Sequence, residues 1–317
     1  MKTTIYFRGS LSSCNYDCPY CPFSKNIDSR ETLAKDHLQV RKFVDWVKQQ
    51  DRQLSLFFNP YGEGLTHLWY RDALVELSHM PHVSKVAIQT NLSANLDWVG
   101  QLNPLTAAFW VTYHPGQTKE ERFLQQCHKL YTHNVPFSVG SVGVKSSFDS
   151  IASLRKNLPS NVYLWINAFK DKADYYSDED MVWLAQIDPY FSLNAQDYNS
   201  LGMPCRAGES VFYVQGDGRI KRCYKDRQVI GNLYRDGLEA IAKQRPCRMN
   251  QCDCYIGYIH MESQKLEHIY GEHILERIAL WEGSYIERNS NMANRPPQFG
   301  ENDNSLGARC DFTGTSG

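Results

Sequence analysis

Residues Arg8–Lys25 read RGSLSSCNYDCPYCPFSK and hold three cysteines, Cys14, Cys18 and Cys21, spaced Cys-x3-Cys-x2-Cys. Just before them, Thr3–Phe7 is a short run of β-branched and aromatic residues that predicts a strand. The three thiols therefore sit in the loop that leaves the first strand, with no histidine or fourth cysteine nearby. A cubane iron–sulfur cluster normally takes four thiolates. Three leave one iron with an open position where chemistry can occur, by the logic that keeps one position open on catalytic zinc. The plainer alternative is a structural zinc site with a remote fourth ligand.

Working outward, strand-like and helix-like segments alternate. Strands are predicted at Thr3–Phe7, Leu54–Phe58, Val86–Gln89, Phe109–Thr112, Phe137–Val144 and Val162–Ala168. Between them, Asp36–Gln49 places Val40, Phe43, Val44 and Val47 at helical spacing. Thr66–Met80, with Thr66 as a candidate cap, Asn95–Leu102, Thr118–His133 and Ser147–Leu158 complete the helices. Strict alternation argues for an α/β fold with a parallel sheet and right-handed crossovers. An incomplete barrel and an open doubly wound sheet both suit the spacing.

The texture changes after Asp171. Ser177–Gln186 predicts one more helix, and Asp188–Pro204 an irregular connector. Val211–Gln215 and Arg219–Cys223 flank Gly216-Asp217-Gly218, a hairpin signal, and a helix is predicted at Gln264–Glu282. The domains expected are a partial barrel over 1–176, a connector over 177–203, a metal-binding domain over 204–283 and a polar, loosely ordered tail over 284–317.

Hydrophobic residues make up 42% of the 317 and charged residues 22%, enough to bury a core and to exclude wholesale disorder. A net charge of −1 gives no support to nucleic-acid or anionic-membrane binding. The N-terminus lacks a signal-peptide apolar region and no run approaches a membrane span, so a cytoplasmic location is expected. Ten cysteines in a reducing compartment read as metal ligands where they cluster. Cys127, in a helical stretch, reads as a small buried hydrophobe. Cys310, in the tail, has no assigned role.

Cys205 and Cys223 bracket the hairpin, which folds them together, and Cys247, Cys252 and Cys254 offer three candidates for two further ligands. On spacing alone a zinc ribbon and an iron–sulfur cluster are equally served, because thiolates select either.

The cysteine triplet, with the aromatic Tyr20 just before its last member, resembles the signature of the radical S-adenosylmethionine (radical SAM) superfamily. Four strand ends agree. Asn59-Pro60-Tyr61-Gly62-Glu63-Gly64 is similar to the family's Gly-Gly-Glu segment, with Tyr61 in place of the first glycine. Gln89-Thr90-Asn91 is similar to a Thr-Asn-Gly segment, with Leu92 replacing the glycine, and Thr112-Tyr113-His114-Pro115 ends the fourth strand. Gly140-Ser141-Val142-Gly143 is similar to an adenine-contacting strand. The resemblance implies an incomplete (β/α)6 barrel in which Cys14, Cys18 and Cys21 hold a 4Fe–4S cluster. The SAM contacts it implies are Tyr20, Tyr61, Gly62, Glu63, Asn91, Thr112, His114, Gly140 and Gly143.

The Cys205-x12-Gly218-x4-Cys223 step resembles the opening of a SPASM or twitch domain, which holds auxiliary 4Fe–4S clusters. Five cysteines suit the single-cluster twitch form, with Cys252 and either Cys247 or Cys254 completing the set. The activity implied is reductive cleavage of SAM and hydrogen abstraction from substrate. A net oxidation that uses the auxiliary cluster is expected, with a flavodoxin- or ferredoxin-like electron donor. Because the first ligand is residue 14, no N-terminal peptide-recognition domain is expected, so the substrate is a small molecule or a separately presented peptide. The alternative is a non-catalytic iron–sulfur electron carrier or a zinc-stabilised binding protein. No catalytic acid or base stands out; Tyr113, His114, Asn167 and Lys170 are placed by strand position, and His260 reads as structural.

Overall fold

A computed structural model describes residues 2–23 and 25–280. The expected tail and Cys310 lie outside the described residues. Six strands run parallel: β1 (Thr3–Arg8), β2 (Leu54–Phe58), β3 (Val83–Thr90), β4 (Ala107–Tyr113), β5 (Phe137–Val142) and β6 (Leu164–Asn167). Helices α1 (Arg30–Lys48), α2 (Leu68–Ser78), α3 (Glu120–Thr132) and α4 (Phe148–Asn157) connect them, apart from β3–β4. After β6 come α5 (Asp178–Ile187), α6 (Phe191–Ala195) and the two-residue β7 (Tyr198–Asn199). The hairpin strands β8 (Val211–Gln215) and β9 (Arg219–Lys221) are followed by β10 (Val229–Asn232), a turn of helix α7 (Leu238–Ile241), β11 (Gln251–Cys252) and α8 (Glu267–Tyr270).

One sheet runs in the order β10-β9-β8-β1-β2-β3-β4-β5-β6. It does not close, since β6 forms one edge and β10 the other, as an incomplete barrel requires. Both faces are buried, which is why the strands read as continuous hydrophobic runs. On the outer face Ile5, Phe7, Leu56, Phe58, Ile88 and Phe109 pack on the helices, with Val40, Phe43, Val44 and Val47 of α1 among their partners. On the inner face Tyr6, Phe57, Trp110, Trp165 and Tyr213 pack on the C-terminal segment from Tyr258 to Ala279. The hairpin is not a separate sheet: β8 lies parallel to β1, with Tyr6 opposite Tyr213.

Several sequence expectations are corrected. The first helix begins six residues early, because the Ser29 side chain caps it by accepting from Thr32 N. Thr66 does not cap α2; its hydroxyl donates to the Glu63 carbonyl, and Gly64–Thr66 forms a separate 3-10 turn. Asn95–Leu102 holds only the 3-10 turn Val99–Gln101. There the Asn95 side chain accepts from Asp97 N at 2.9 Å, an Asx turn that competes with a longer helix. The connector is more ordered than expected, since α6 forms and β7 pairs antiparallel with β11. The helix expected from Gln264 is broken by left-handed residues at Lys265, Gly271 and Arg277, leaving only α8 and single turns.

Candidate active site

The β1–α1 loop is held by two carboxylates. Asp28 accepts from Ser12 N (2.7 Å), Ser12 Oγ (2.6 Å) and Ser13 N (2.8 Å). Burial works to raise its pKa, but these bonds outweigh it and hold the carboxyl below the usual range. Asp36 of α1 accepts from Leu11 N (2.8 Å) and Trp69 Nε1 (2.8 Å). The loop's path to Cys14 is therefore fixed before the first thiol. Beyond it, Asp17 N donates to Gln117 Oε1 at 2.9 Å, tying the loop to the segment after β4.

The ends of β2 and β3 meet this loop. A Cβ on Gly62 would stand 1.7 Å from the Ser13 carbonyl oxygen, so only glycine lets the two backbones pass. Glu63 N donates to that same oxygen at 3.3 Å. The Glu63 carboxylate is buried and accepts from Leu65 N (3.0 Å), Thr90 Oγ1 (2.7 Å) and Asn91 N (2.6 Å), clasping β2 to β3. Asn91 Nδ2 in turn reaches Asn15 Oδ1 at 3.1 Å and lies 3.7 Å from Cys14 Sγ. Leu92 adopts φ +58°, the left-handed conformation that favours glycine.

From β4, His114 Nδ1 and the Tyr20 hydroxyl are hydrogen-bonded at 2.9 Å, their rings stacked 5.9 Å apart. Burial lowers the His114 pKa to about 4, so the imidazole is neutral. Thr112 Oγ1 is buried with no partner. Gly140 leaves room for the Trp165 indole, which a Cβ would approach to 2.3 Å. Gly143 packs instead against the Tyr176 hydroxyl and Ile166. Tyr61 covers Arg8, whose guanidinium carbon lies 4.0 Å from its ring centroid.

The structure thus gathers Cys14, Tyr20, Gly62, Glu63, Asn91 and His114 around one loop. Tyr61, Gly140 and Gly143 belong to neighbouring packing. Arg8 was missed: it lies between the Tyr61 ring and, at 3.9 Å, the Tyr224 ring, and it donates to the Asn59 carbonyl at 2.7 Å. Its inward place, two residues after Tyr6 on β1, is the signal that marks it.

All five cysteines of the second group line one cavity. Two pairings bring them there. The β8–β9 hairpin joins Cys205 to Cys223, and the β7–β11 pair, with Gly202 N donating to Cys247 O at 2.7 Å, draws in the last three. Burial raises the Cys252 pKa to about 12, with Cys254, Cys205, Cys223 and Cys247 adding to the rise. Burial and then Cys21 raise that of Cys18 to about 11. Metal binding must displace these protons.

Among the described residues no three His, Cys, Asp or Glu side chains close on a single-ion site. A cubane makes a different demand, with its thiolates bound to separate irons. The second cavity meets that demand: beside its five thiols stand Met203, Met249 and Met261 and the cations Arg222 and Lys225, with no carboxylate in the lining. Soft donors and positive charge suit a thiolate-bound iron–sulfur cluster. Arg222, only 2% exposed, leaves Nε and Nη2 without a partner there. In the first group, three thiols on one loop would hold three irons of such a cluster and leave the fourth open.

No family model matches the sequence, and a search of curated proteins finds no match. Solved structures do match. A structure of anSMEcpe with bound AdoMet and Kp18Cys peptide aligns at a TM-score of 0.52 and 15% identity, over 76% of this chain and 80% of that one. Another, with AdoMet and Cp18Cys peptide, gives 0.51 and 16% over the same shares. Streptococcus suis SuiB bound to S-adenosylmethionine gives 0.51 and 12%, over 74% of this chain and 64% of its own. At these identities the likeness is one of fold: the chain shares the incomplete parallel α/β barrel of these structures.

Proposed function

We propose that the protein is a radical SAM enzyme with one auxiliary 4Fe–4S cluster. The observation that carries this reading is the place of Cys14, Cys18 and Cys21. They lie on the loop at the C-terminal mouth of a parallel partial barrel, packed against Gly62 and Asn91 at the ends of the next two strands. Barrel enzymes build their active sites at that face. When bound, the cluster supplies the electron that cleaves SAM to methionine and a 5′-deoxyadenosyl radical, which takes hydrogen from substrate.

The chain's own residues prepare this step. Asp28 and Asp36 hold the loop that presents the thiolates. Glu63, saturated by three protein donors, fixes the ends of the second and third strands beside the cysteine loop. Neutral His114 and Tyr20 form one wall, and Thr112 has a buried, unpartnered hydroxyl that would be free to bond SAM. Four of the five cysteines around the second cavity would hold the auxiliary cluster, which would supply the electron acceptor that a net oxidation of substrate needs. An external flavodoxin- or ferredoxin-like protein supplies the first electron.

Anaerobic reconstitution tests this. About eight irons per chain, falling to about four when Cys14, Cys18 and Cys21 become alanine, and dithionite-dependent 5′-deoxyadenosine that vanishes in that variant, are expected. Zinc alone with little iron would overturn the reading.

A further inference from the structure

The segment after α8 threads the inner face of the barrel and presents two buried charges in succession, Glu276 and Arg277, 0% and 4% exposed. Glu276 is balanced, by Lys85 Nζ of β3 at 2.9 Å and by His273 Nδ1 at 2.7 Å. Arg277 meets no carboxylate within ion-pair distance among the described residues. Its guanidinium donates to the Tyr255 carbonyl at 2.9 Å and the Tyr258 hydroxyl at 3.4 Å. It also lies over the rings of Trp110, Tyr258 and Tyr270, at 5.1, 5.4 and 5.8 Å. Aromatic faces offset only part of what burying a cation costs. The backbone at Arg277 is itself strained, with φ +56°, a conformation that a non-glycine residue keeps only when its surroundings impose it.

Arg277 lines a cavity together with Trp110, Trp165 and five tyrosines, among them Tyr163 and Tyr255. Two residues of its lining carry idle donors. Trp110 and Trp165 are 2% and 7% exposed, their indole Nε1 atoms are buried without a partner, and their rings lie 5.0 Å apart. Asp188 reaches the same cavity, but it accepts from Tyr163 Oη (2.7 Å), Ile166 N (2.8 Å) and Tyr190 N (3.0 Å) and forms no ion pair with Arg277. The position is equally telling. Trp165 is in register with Gly140, and Gly140 with Thr112, while Tyr255 directly follows Cys254. The cavity therefore reaches from the strands of the first site to the loop of the second.

We propose that this cavity binds the carboxylate of the substrate, with Arg277 as its counter-cation and the Trp110 and Trp165 indoles as two neutral donors. A charged donor and two neutral ones converging on an aromatic pocket fix an anion's orientation as well as its charge. The proposal rests on the enzyme reading for the word substrate alone; the anion site is a property of the folded chain. A free small acid and a peptide carboxylate share this chemistry.

The test is anomalous diffraction from crystals of the reconstituted protein soaked in sodium bromide. A bromide is expected beside the Arg277 guanidinium and the two indole nitrogens. Arg277→Met should lower its occupancy roughly tenfold or more, as loss of a charged hydrogen bond implies. Trp165→Phe, a milder change in case Arg277→Met does not fold, should lower it by a smaller factor. No bromide there in the wild type, or undiminished occupancy in the variants, would overturn the proposal. Phenylacetate, phenylacetamide and an aromatic tripeptide with a free C-terminus are then added in turn. Displacement by phenylacetate assigns a free acid, and displacement by the tripeptide alone a peptide carboxylate. Equal displacement by the neutral amide, or displacement by neither acid, would sink the proposal. No readout uses SAM cleavage, so bromide bound at Arg277 in a protein that makes no 5′-deoxyadenosine would refute the enzyme reading and leave the anion site standing.

Discussion

The Tyr224 hydroxyl donates to Asn59 Oδ1 across 2.6 Å, joining the residue after Cys223 to the end of β2. The same Asn59 oxygen accepts from Arg8, and the Tyr224 ring lies on the Arg8 guanidinium. One arginine thus ties the strand before the first cysteines to the hairpin that carries the second. Arg8→Ala should destabilise the metal-free protein by about 2 kcal/mol or more, since it removes charged hydrogen bonds and two ring contacts. Tyr224→Phe, which keeps the ring, should cost about 1 kcal/mol. Denaturant unfolding of both variants checks the order; equal losses would mean that the hydrogen bonds, and not the rings, make the junction.

Gly62→Ala places a methyl against backbone at Ser13, where no side chain can swing aside. The cysteine loop must move. Iron in the first site should fall sharply while the second site keeps its absorption, so that total iron drops from about eight to about four per chain. Full loading of Gly62→Ala would show that the loop yields without losing its cluster.

Five thiols surround the second cavity and a cubane needs four. Cys252 sits on β11, whose pairing with β7 draws the last three cysteines to the cavity, so Cys252→Ala should abolish that cluster. Either Cys247→Ala or Cys254→Ala should leave its iron count unchanged. Visible absorption and iron per chain for the three single variants decide which thiol is spare, and loss of the cluster in all three would show a shared role.

The Glu276 carboxyl gives a pH signature. Burial works to raise its pKa, but Lys85 and His273 prevail and lower it to about 2 from an ordinary 4.5. A carboxyl depressed in the folded state adds stability above its unfolded pKa and loses it as pH falls towards the folded value. Thermal stability should therefore fall between roughly pH 4.5 and pH 2, by on the order of 3 kcal/mol from this group. Glu276→Gln should flatten that slope and also lower stability at neutral pH, because it leaves Lys85 buried without its partner. A slope unchanged in the variant would assign the acid loss elsewhere.

What the sequence revealed depended on how local each cause was. Leu54–Phe58 was legible to the residue because a strand covered on both faces has no choice of composition. The cysteine triplet was legible because its geometry lies within one loop. Gln264–Glu282 was misread, since its apolar residues fill the barrel and left-handed turns at Lys265, Gly271 and Arg277 break its period. Arg8, Tyr224 and Arg277 went unnoticed for a related reason: each acquires its meaning from a partner far along the chain. Leu92 showed the reverse, a departure from the family pattern that the backbone accommodates by holding leucine at φ +58°.

The parallel pairing of β8 with β1 has a consequence for dissecting the protein. Truncation before residue 204 would leave intact the six strands that carry the first cysteines, yet it would bare a row of amide and carbonyl groups along the flank of β1. Uncapped flanks of that kind recruit strands from other copies. A shortened chain should therefore self-associate before it loses its helices, and the second cysteine group earns its place in the molecule partly as the cover of the first strand.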